Sequence, residues 1–252
     1  MKKITVSDKS LNPPAIDDYV DQRSFKAMNA DSNSRIPESE LALYNRNGSL
    51  LVESLLSEST LADAIEDAEA LFEGRIAAQR TESARRAKRI KDPHLLSQKI
   101  EQICEIPKLR DYIRALNGPS VIHQSFLFRK EAHDLRRKPW HQDSIYWDTD
   151  GTMMAAFIAL DDCPEERGCI WVIDGSHKIG RLYHHVESEE NGWPNLVCNI
   201  DPFREPRPIP MKRGDVLFCH GYTLHASFAN TTDQVRTNLG FHLQRRAKKF
   251  FI

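Results

Sequence analysis

Two histidines and an aspartate carry the most legible chemistry in this chain. His141 and Asp143 lie in the run Pro139-Trp140-His141-Gln142-Asp143, and His225 follows far downstream. Two imidazoles and one carboxylate can take one face of an octahedral Fe(II) and leave three positions open for a co-substrate and O₂. In a strand, side chains two apart share a face, so positions 141 and 143 are expected to project together, with Gln142 turned away. His225 must then arrive from a strand distant in sequence and adjacent in space. It closes a run beginning Asp215-Val216-Leu217-Phe218-Cys219, apolar at its start and polar at its end. A lone His-x-Asp is a weak signal in a chain with 10 histidines and 36 acidic residues. Its position in a β-rich half, with a matching partner downstream, strengthens it.

Charge balance extends the constellation. An iron held by these three side chains keeps a formal charge of about +1, and a chelating dianionic 2-oxo acid takes it to about −1. A fixed cation at the far end of that acid would neutralise the assembly. Arg236 is the natural choice, if the strand ending at His225 turns through Asn230-Thr231-Thr232-Asp233 and returns antiparallel. A guanidinium binds a carboxylate bidentately and stays charged when buried. Ser227, two beyond His225, could add a hydroxyl donor.

The elements that must position these residues follow from pattern. Residues 1–35 read as an N-terminal arm. Residues 37–118 read as mostly helical: Pro37 to Asn45, then Thr60 to Phe72 with Gly74 as its stop, a helix capped by Asp92-Pro93 bearing Leu95, Leu96, Ile100 and Ile103, and one from Pro107 to Gly118. A short strand at 49–53 interrupts them. From 119 to 245 the pattern changes to short β runs, at 121–128, 152–160, 169–173, 215–219 and 236–243. Gly180 to Pro210 is a long connection of the kind that covers a site. The expected fold is mainly β with α additions, a barrel buttressed by N-terminal helices, and 252 residues are expected to form a single domain.

Bulk composition narrows the partners. Lys plus Arg number 35 against 36 acidic residues, a net charge of −1, so no global field favours nucleic acid or an anionic membrane. A small molecule is the expected partner, and oligomeric state is not legible. The first residues lack a signal-peptide core, no stretch matches a membrane span, and five cysteines without a Cys-x-x-Cys pair read as free thiols. A soluble, cytoplasmic protein is expected.

The runs Trp140-His141-Gln142-Asp143, Gly168 to His177, Gly214-Asp215-Val216-Leu217-Phe218 and His225 to Thr232, with Arg236, resemble the phytanoyl-CoA dioxygenase family. The resemblance spans roughly residues 37 to 245. It implies an Fe(II)- and 2-oxoglutarate-dependent dioxygenase on a double-stranded β-helix (jelly-roll, cupin-like). Position by position it implies metal ligation by His141, Asp143 and His225, and a C5-carboxylate clamp of Arg236 with Ser227. Gln124 and Phe157 are implied co-substrate neighbours, although either could be an ordinary strand or core residue. Asp174 replaces the family's usual proline before Gly-Ser-His, which is expected to alter a turn. His177 is expected to be structural, and His220 is a weaker third ligand than His225. Related halogenases carry Ala or Gly where Asp143 stands, so its carboxylate argues for oxygen insertion.

The substrate is the least legible part. Tyr146 and Trp147 leave the metal motif and could line a substrate mouth. The basic run Arg80 to Lys91 could, as a helix with Arg85 and Arg89 on one face, place arginines over an anionic group, or be a solvated surface. The expected reaction is hydroxylation of an unactivated C–H in a small polar metabolite or natural-product intermediate, with release of succinate and CO₂. The same site could instead direct desaturation, epoxidation or ring formation. From another class, a zinc hydrolase or a non-catalytic metal- and ligand-binding barrel could use the same triad. Neither needs Arg236.

Overall fold

The computed structural model describes residues 36–76, 88–146, 152–190, 193–200 and 205–245. The N-terminal arm, most of the basic run including Arg85, and Trp147 lie outside these residues.

Among the described residues, four α-helices come first: α1 (Glu38–Asn47), α2 (Glu58–Glu73), α3 (Gln98–Ile103) and α4 (Pro107–Asn117). Local chemistry sets their ends. Ser57 accepts a hydrogen bond from the Thr60 amide at the start of α2, and Gly74 ends it at φ 80°. The expected helix from Asp92 to Ile103 is broken in two. Pro93–Leu95 is a single 3-10 turn, and Ser97 then caps α3 by accepting from the Ile100 amide. Asp92 sits at the N-cap position of that turn, as expected, but its side chain makes no capping bond and instead accepts from the Ser125 amide at 3.1 Å. Leu95, expected on the packed face, is 73% exposed.

Among the described residues the strands form two main antiparallel sheets and a separate two-stranded hairpin. The larger contains β1 (Ser49–Val52), β2 (Arg89–Lys91), β3 (Ser120–Lys130), β5 (Met153–Ala159), β10 (Val216–His220) and β12 (Arg236–Arg245), in the order β1-β10-β5-β12-β3-β2. The smaller contains β4 (Lys138–His141), β6 (Ile170–Val172), β9 (Arg207–Ile209) and β11 (His225–Ser227), in the order β4-β11-β6-β9. The expected barrel is thus two facing sheets, not closed by strand pairing among the described residues. The long connection is also not structureless: β7 (His185–Glu190) and β8 (Trp193–Val197) form a hairpin, and β9 pairs with β6. The Cys198 amide donates to the Trp140 carbonyl at 2.8 Å, which ties the end of the hairpin to β4.

Strand alternation divides the core. One face of the large sheet, with Leu127, Met154, Ala156, Ile158, Phe218, Leu239 and Phe241, packs against Leu61, Leu71, Leu109 and Leu116 of the helices. Tyr112 stacks on Phe218 across this layer at 5.6 Å. The opposite face, with Ala155, Phe157, Ala159, Leu217 and Cys219, meets Ile170, Val172 and Ile209 of the small sheet. β5 is buried at every position because it lies between the two layers. All five cysteines are buried and free.

Candidate metal centre

His141 is the last residue of β4, and Asp143 opens a 3-10 turn, Asp143–Ile145. The expectation that 141 and 143 share one strand face therefore fails in detail: the chain leaves the strand between them. His225 does not end the strand that starts near Asp215 either. β10 finishes at His220, the chain turns through Gly221 to Leu224, and His225 opens β11 in the other sheet, paired with His141. Arg236 consequently returns on β12 of the large sheet, facing β11 across the interior and not beside it.

Gln142 holds these segments together. It is fully buried, and its amide donates to the carbonyls of Gly180 and Tyr222, both at 2.8 Å, while its oxygen accepts from the Leu182 amide at 2.9 Å. Its backbone amide donates to Nε2 of His184 at 3.0 Å. Burial keeps His184 neutral for that purpose, with its pKa pushed down to about 4. Gly221 allows the closest approach. The Ser144 amide donates to its carbonyl at 2.9 Å, and a Cβ there would lie 2.1 Å from Ser144 Oγ and 2.7 Å from the Met153 carbonyl oxygen.

One donor atom from each of His141, Asp143 and His225 lies within 4.8 Å of the others, and all three residues are buried. Nδ1 of His141 donates to the Pro139 carbonyl at 2.7 Å, and Nδ1 of His225 donates to the Thr223 carbonyl at 3.0 Å. A carbonyl can only accept, so each ring carries a proton on Nδ1 and turns Nε2 toward Asp143 Oδ1, at 3.5 and 3.6 Å. Burial, with His225 and Lys138 nearby, pushes His141 down to about 3, so it stays neutral. Burial works against ionisation of Asp143, but the neighbouring His225 and His242, with the hydrogen bond from His242, hold it well below the usual carboxylate range. Two imidazoles and one carboxylate, buried and aimed at one point, fit a divalent transition metal.

His242 was not anticipated. Its Nε2 donates to Asp143 Oδ2 at 3.1 Å, leaving Oδ1 toward the imidazoles. It lies on β12 with Arg236 and Asn238, at even spacing and so on one face. That spacing from Arg236 was available in the sequence. Arg236 is buried, and its Nε donates to Cys163 Sγ at 3.1 Å. Its cross-strand partner Lys130, also buried, donates to the carbonyls of Arg136, at 2.9 Å, and Phe228. Both amide atoms of Asn238 and the side-chain oxygen of Gln124 are buried without a hydrogen-bond partner. Gln124 pairs with His242 across β3 and β12. This inner face thus presents cationic and amide groups toward the space beside the triad. Phe157 lies there too, its ring 5.8 Å from His225, with Gly240 opposite leaving room for it. Ser227 shares the face of β11 that carries His225.

On the other side, Tyr146 packs edge-on to His141 at 5.8 Å. Arg89 is on strand β2 and not on the expected helix, with its guanidinium 3.9 Å from the Phe126 ring centre. His177 and His220 stand apart from the triad. His177 Nε2 donates to the Asn45 carbonyl at 3.2 Å, and His220 Nδ1 accepts from the Tyr222 amide. Asp174 forms a double hydrogen bond with Arg207, both contacts at 2.9 Å, and so braces β9.

Comparison with known proteins gives a consistent picture. A family model described as phytanoyl-CoA dioxygenase matches residues 44–238. The chain is 27% identical over 158 residues to phytanoyl-CoA dioxygenase domain-containing protein 1 of Danio rerio, covering 60% of this chain and 54% of the relative. It is 24% identical over 148 residues to human peroxisomal phytanoyl-CoA dioxygenase, covering 55% and 44%. The chain spans about half the length of the curated relatives it matches. Among solved structures, EctD from S. alaskensis with 2-oxoglutarate and 5-hydroxyectoine aligns at TM-score 0.71 and 21% identity, over 87% of this chain and 80% of that one. The epimerase SnoN with Fe3+, alpha ketoglutarate and nogalamycin RO aligns at 0.67 and 23%, over 82% and 83%. The cupin-like fold is shared with these enzymes.

Proposed function

The chain belongs to the phytanoyl-CoA dioxygenase family, and from that premise we propose that it is an Fe(II)- and 2-oxoglutarate-dependent dioxygenase. It hydroxylates an unactivated C–H of a small polar metabolite or natural-product intermediate and releases succinate and CO₂. One observation carries this reading: the His141, Asp143 and His225 donors converge opposite an inner sheet face that bears Arg236 and unpartnered buried amides. A zinc hydrolase would use the triad but would have no need for a buried cation on that face.

His141, Asp143 and His225 hold the iron, which together with 2-oxoglutarate and O₂ supplies the oxidising chemistry. The protein's own residues do the positioning. The Pro139 and Thr223 carbonyls fix the imidazole tautomers, and His242 fixes the carboxylate. Arg236 with Ser227 binds the C5-carboxylate of 2-oxoglutarate. Gln124 and Asn238 offer amide groups to its polar atoms, and Phe157 walls the pocket. Asp143 occupies the position that a halide would need, which favours oxygen insertion. The five buried free thiols support a reducing, cytoplasmic setting, and no helix among the described residues is long and apolar enough to cross a membrane.

The test is substrate-stimulated succinate release that requires Fe(II), 2-oxoglutarate and O₂ together. Asp143→Ala and His225→Ala should each abolish it, and full turnover in both variants would refute the assignment. Product mass separates hydroxylation, a gain of one oxygen, from desaturation or ring formation, a loss of two hydrogens.

A further inference from the structure

We propose that Cys163 is the positioning residue for Arg236, its sulfur holding one edge of the guanidinium so that the other edge meets the C5-carboxylate of the co-substrate. This rests on the oxygenase reading of the site, with Arg236 as its carboxylate clamp. Nε of Arg236 donates to Cys163 Sγ at 3.1 Å, and both residues are buried, Cys163 completely. Among the described residues that sulfur is the one hydrogen-bond partner of the guanidinium. The bond uses the single N–H on Nε and leaves the four on the two Nη atoms. Those form the planar fork that matches a carboxylate. An arginine side chain has many rotamers, and ordering it opposes binding. The sulfur bond orders it before the co-substrate arrives.

The backbone fixes this contact from two sides. β12 pairs with β5 as far as Asn238 opposite Ala159, and beyond that point the loop after β5 takes over. The Leu160 amide donates to the Thr237 carbonyl at 3.1 Å, and the Thr237 amide donates to Asp161 Oδ2 at 2.9 Å. The other oxygen of Asp161 accepts from Arg213 at 3.4 Å, so the carboxylate of this loop is engaged by a backbone amide and a different arginine. Cys163 then exchanges two backbone hydrogen bonds with Met211, at 2.7 and 3.1 Å. Its sulfur is therefore held between β12 and the segment at 211. A thiol suits the task where a carboxylate would not. An aspartate at 163 would form an ion pair with Arg236 and compete with the co-substrate, whereas sulfur is a weak acceptor that steers the guanidinium and leaves its charge for the ligand.

The experiment measures binding to the Mn(II)-loaded protein by calorimetry, with two ligands: 2-oxoglutarate, and 2-oxopentanoate, which has a methyl group in place of the C5-carboxylate. Cys163→Ala and the volume-filling Cys163→Val both lack an acceptor and should bind 2-oxoglutarate about tenfold more weakly than wild type. Cys163→Ser, whose hydroxyl can accept from Nε, should bind it more tightly than either. Affinity for 2-oxopentanoate should stay within about twofold throughout, since that ligand makes no use of the guanidinium, whereas a disturbed fold or metal centre would weaken both ligands. In an Arg236→Met background, Cys163→Ala should change 2-oxoglutarate affinity by less than about twofold, because the residue it acts through is gone. Wild-type affinity in both acceptor-free variants, no recovery in Cys163→Ser, an equal loss for 2-oxopentanoate, or a full tenfold effect in the Arg236→Met background would overturn the inference alone. Failure of 2-oxoglutarate to bind the wild-type Mn(II) protein, or equally tight binding in Arg236→Met, would overturn it together with the reading it rests on.

Discussion

Asp143 illustrates how much a single carboxylate depends on its second oxygen. Oδ1 faces the imidazoles of His141 and His225, and Oδ2 is held by His242. Without that bond the carboxylate could rotate or bind an ion through both oxygens, so His242 acts on the metal through Asp143. His242→Ala should weaken Fe(II) binding about 10–100-fold, measured anaerobically by competition with a chelator, while His242→Gln, which keeps a donor, should restore part of it. Lys130 offers a second residue-scale test. Burial first, then Arg236 and Arg136, pushes it down to about 7, opposed by Asp134 and Cys163. In the unfolded chain a lysine titrates near about 10.4. Between those values the folded protein binds fewer protons than the unfolded one, so the contribution of Lys130 to stability rises with pH. Below about pH 7 the penalty is present in full. Urea unfolding from pH 6.5 to 10 should therefore show wild type gaining stability relative to Lys130→Met as pH rises. A constant difference between them would contradict this.

At the scale of elements, the site exists because three loops meet at one buried side chain. Gln142 bridges the turn after β4, the Gly180–Leu182 segment and the turn before β11, with every amide atom satisfied. Gln142→Ala leaves two carbonyls and one amide buried without it, and should cost about 3 kcal/mol in chemical denaturation. Metal affinity should fall as well, since His141 and His225 flank the bridged segments. Residue types made the triad and Arg236 legible in the sequence, because few other side chains can ligate iron or clamp a carboxylate. The strands of the β-rich half were legible from their apolar runs. Register was not. Lys130 meets Arg236, and Gln124 meets His242, only through pairings that join residues far apart in sequence. Alternation also misled. It placed 141 and 143 on one strand, whereas Asp143 opens a 3-10 turn docked on Gly221. The helix expected from 92 to 103 failed because Ser97 starts a new helix and Leu95 turns to solvent.

Across the whole molecule, the helices cover one face of the large sheet and leave the other to chemistry. Phe218 and Phe241 bury into the helical layer, while Arg236, Asn238 and His242 face the second sheet. This division lets a chain of near-zero net charge gather buried Arg236, Lys130 and the unpartnered amide atoms of Asn238 and Gln124 on the inner face of the large sheet. The account stands or falls on metal-dependent capture of 2-oxoglutarate against Arg236. Equilibrium binding of 2-oxoglutarate to the anaerobic Fe(II) protein, followed by the visible charge-transfer absorption of the complex, measures it directly. Wild type should bind only when Fe(II) is present, and Arg236→Met should weaken binding about a hundredfold with Fe(II) affinity unchanged. Binding that is independent of Fe(II), or equally tight in Arg236→Met, would contradict it.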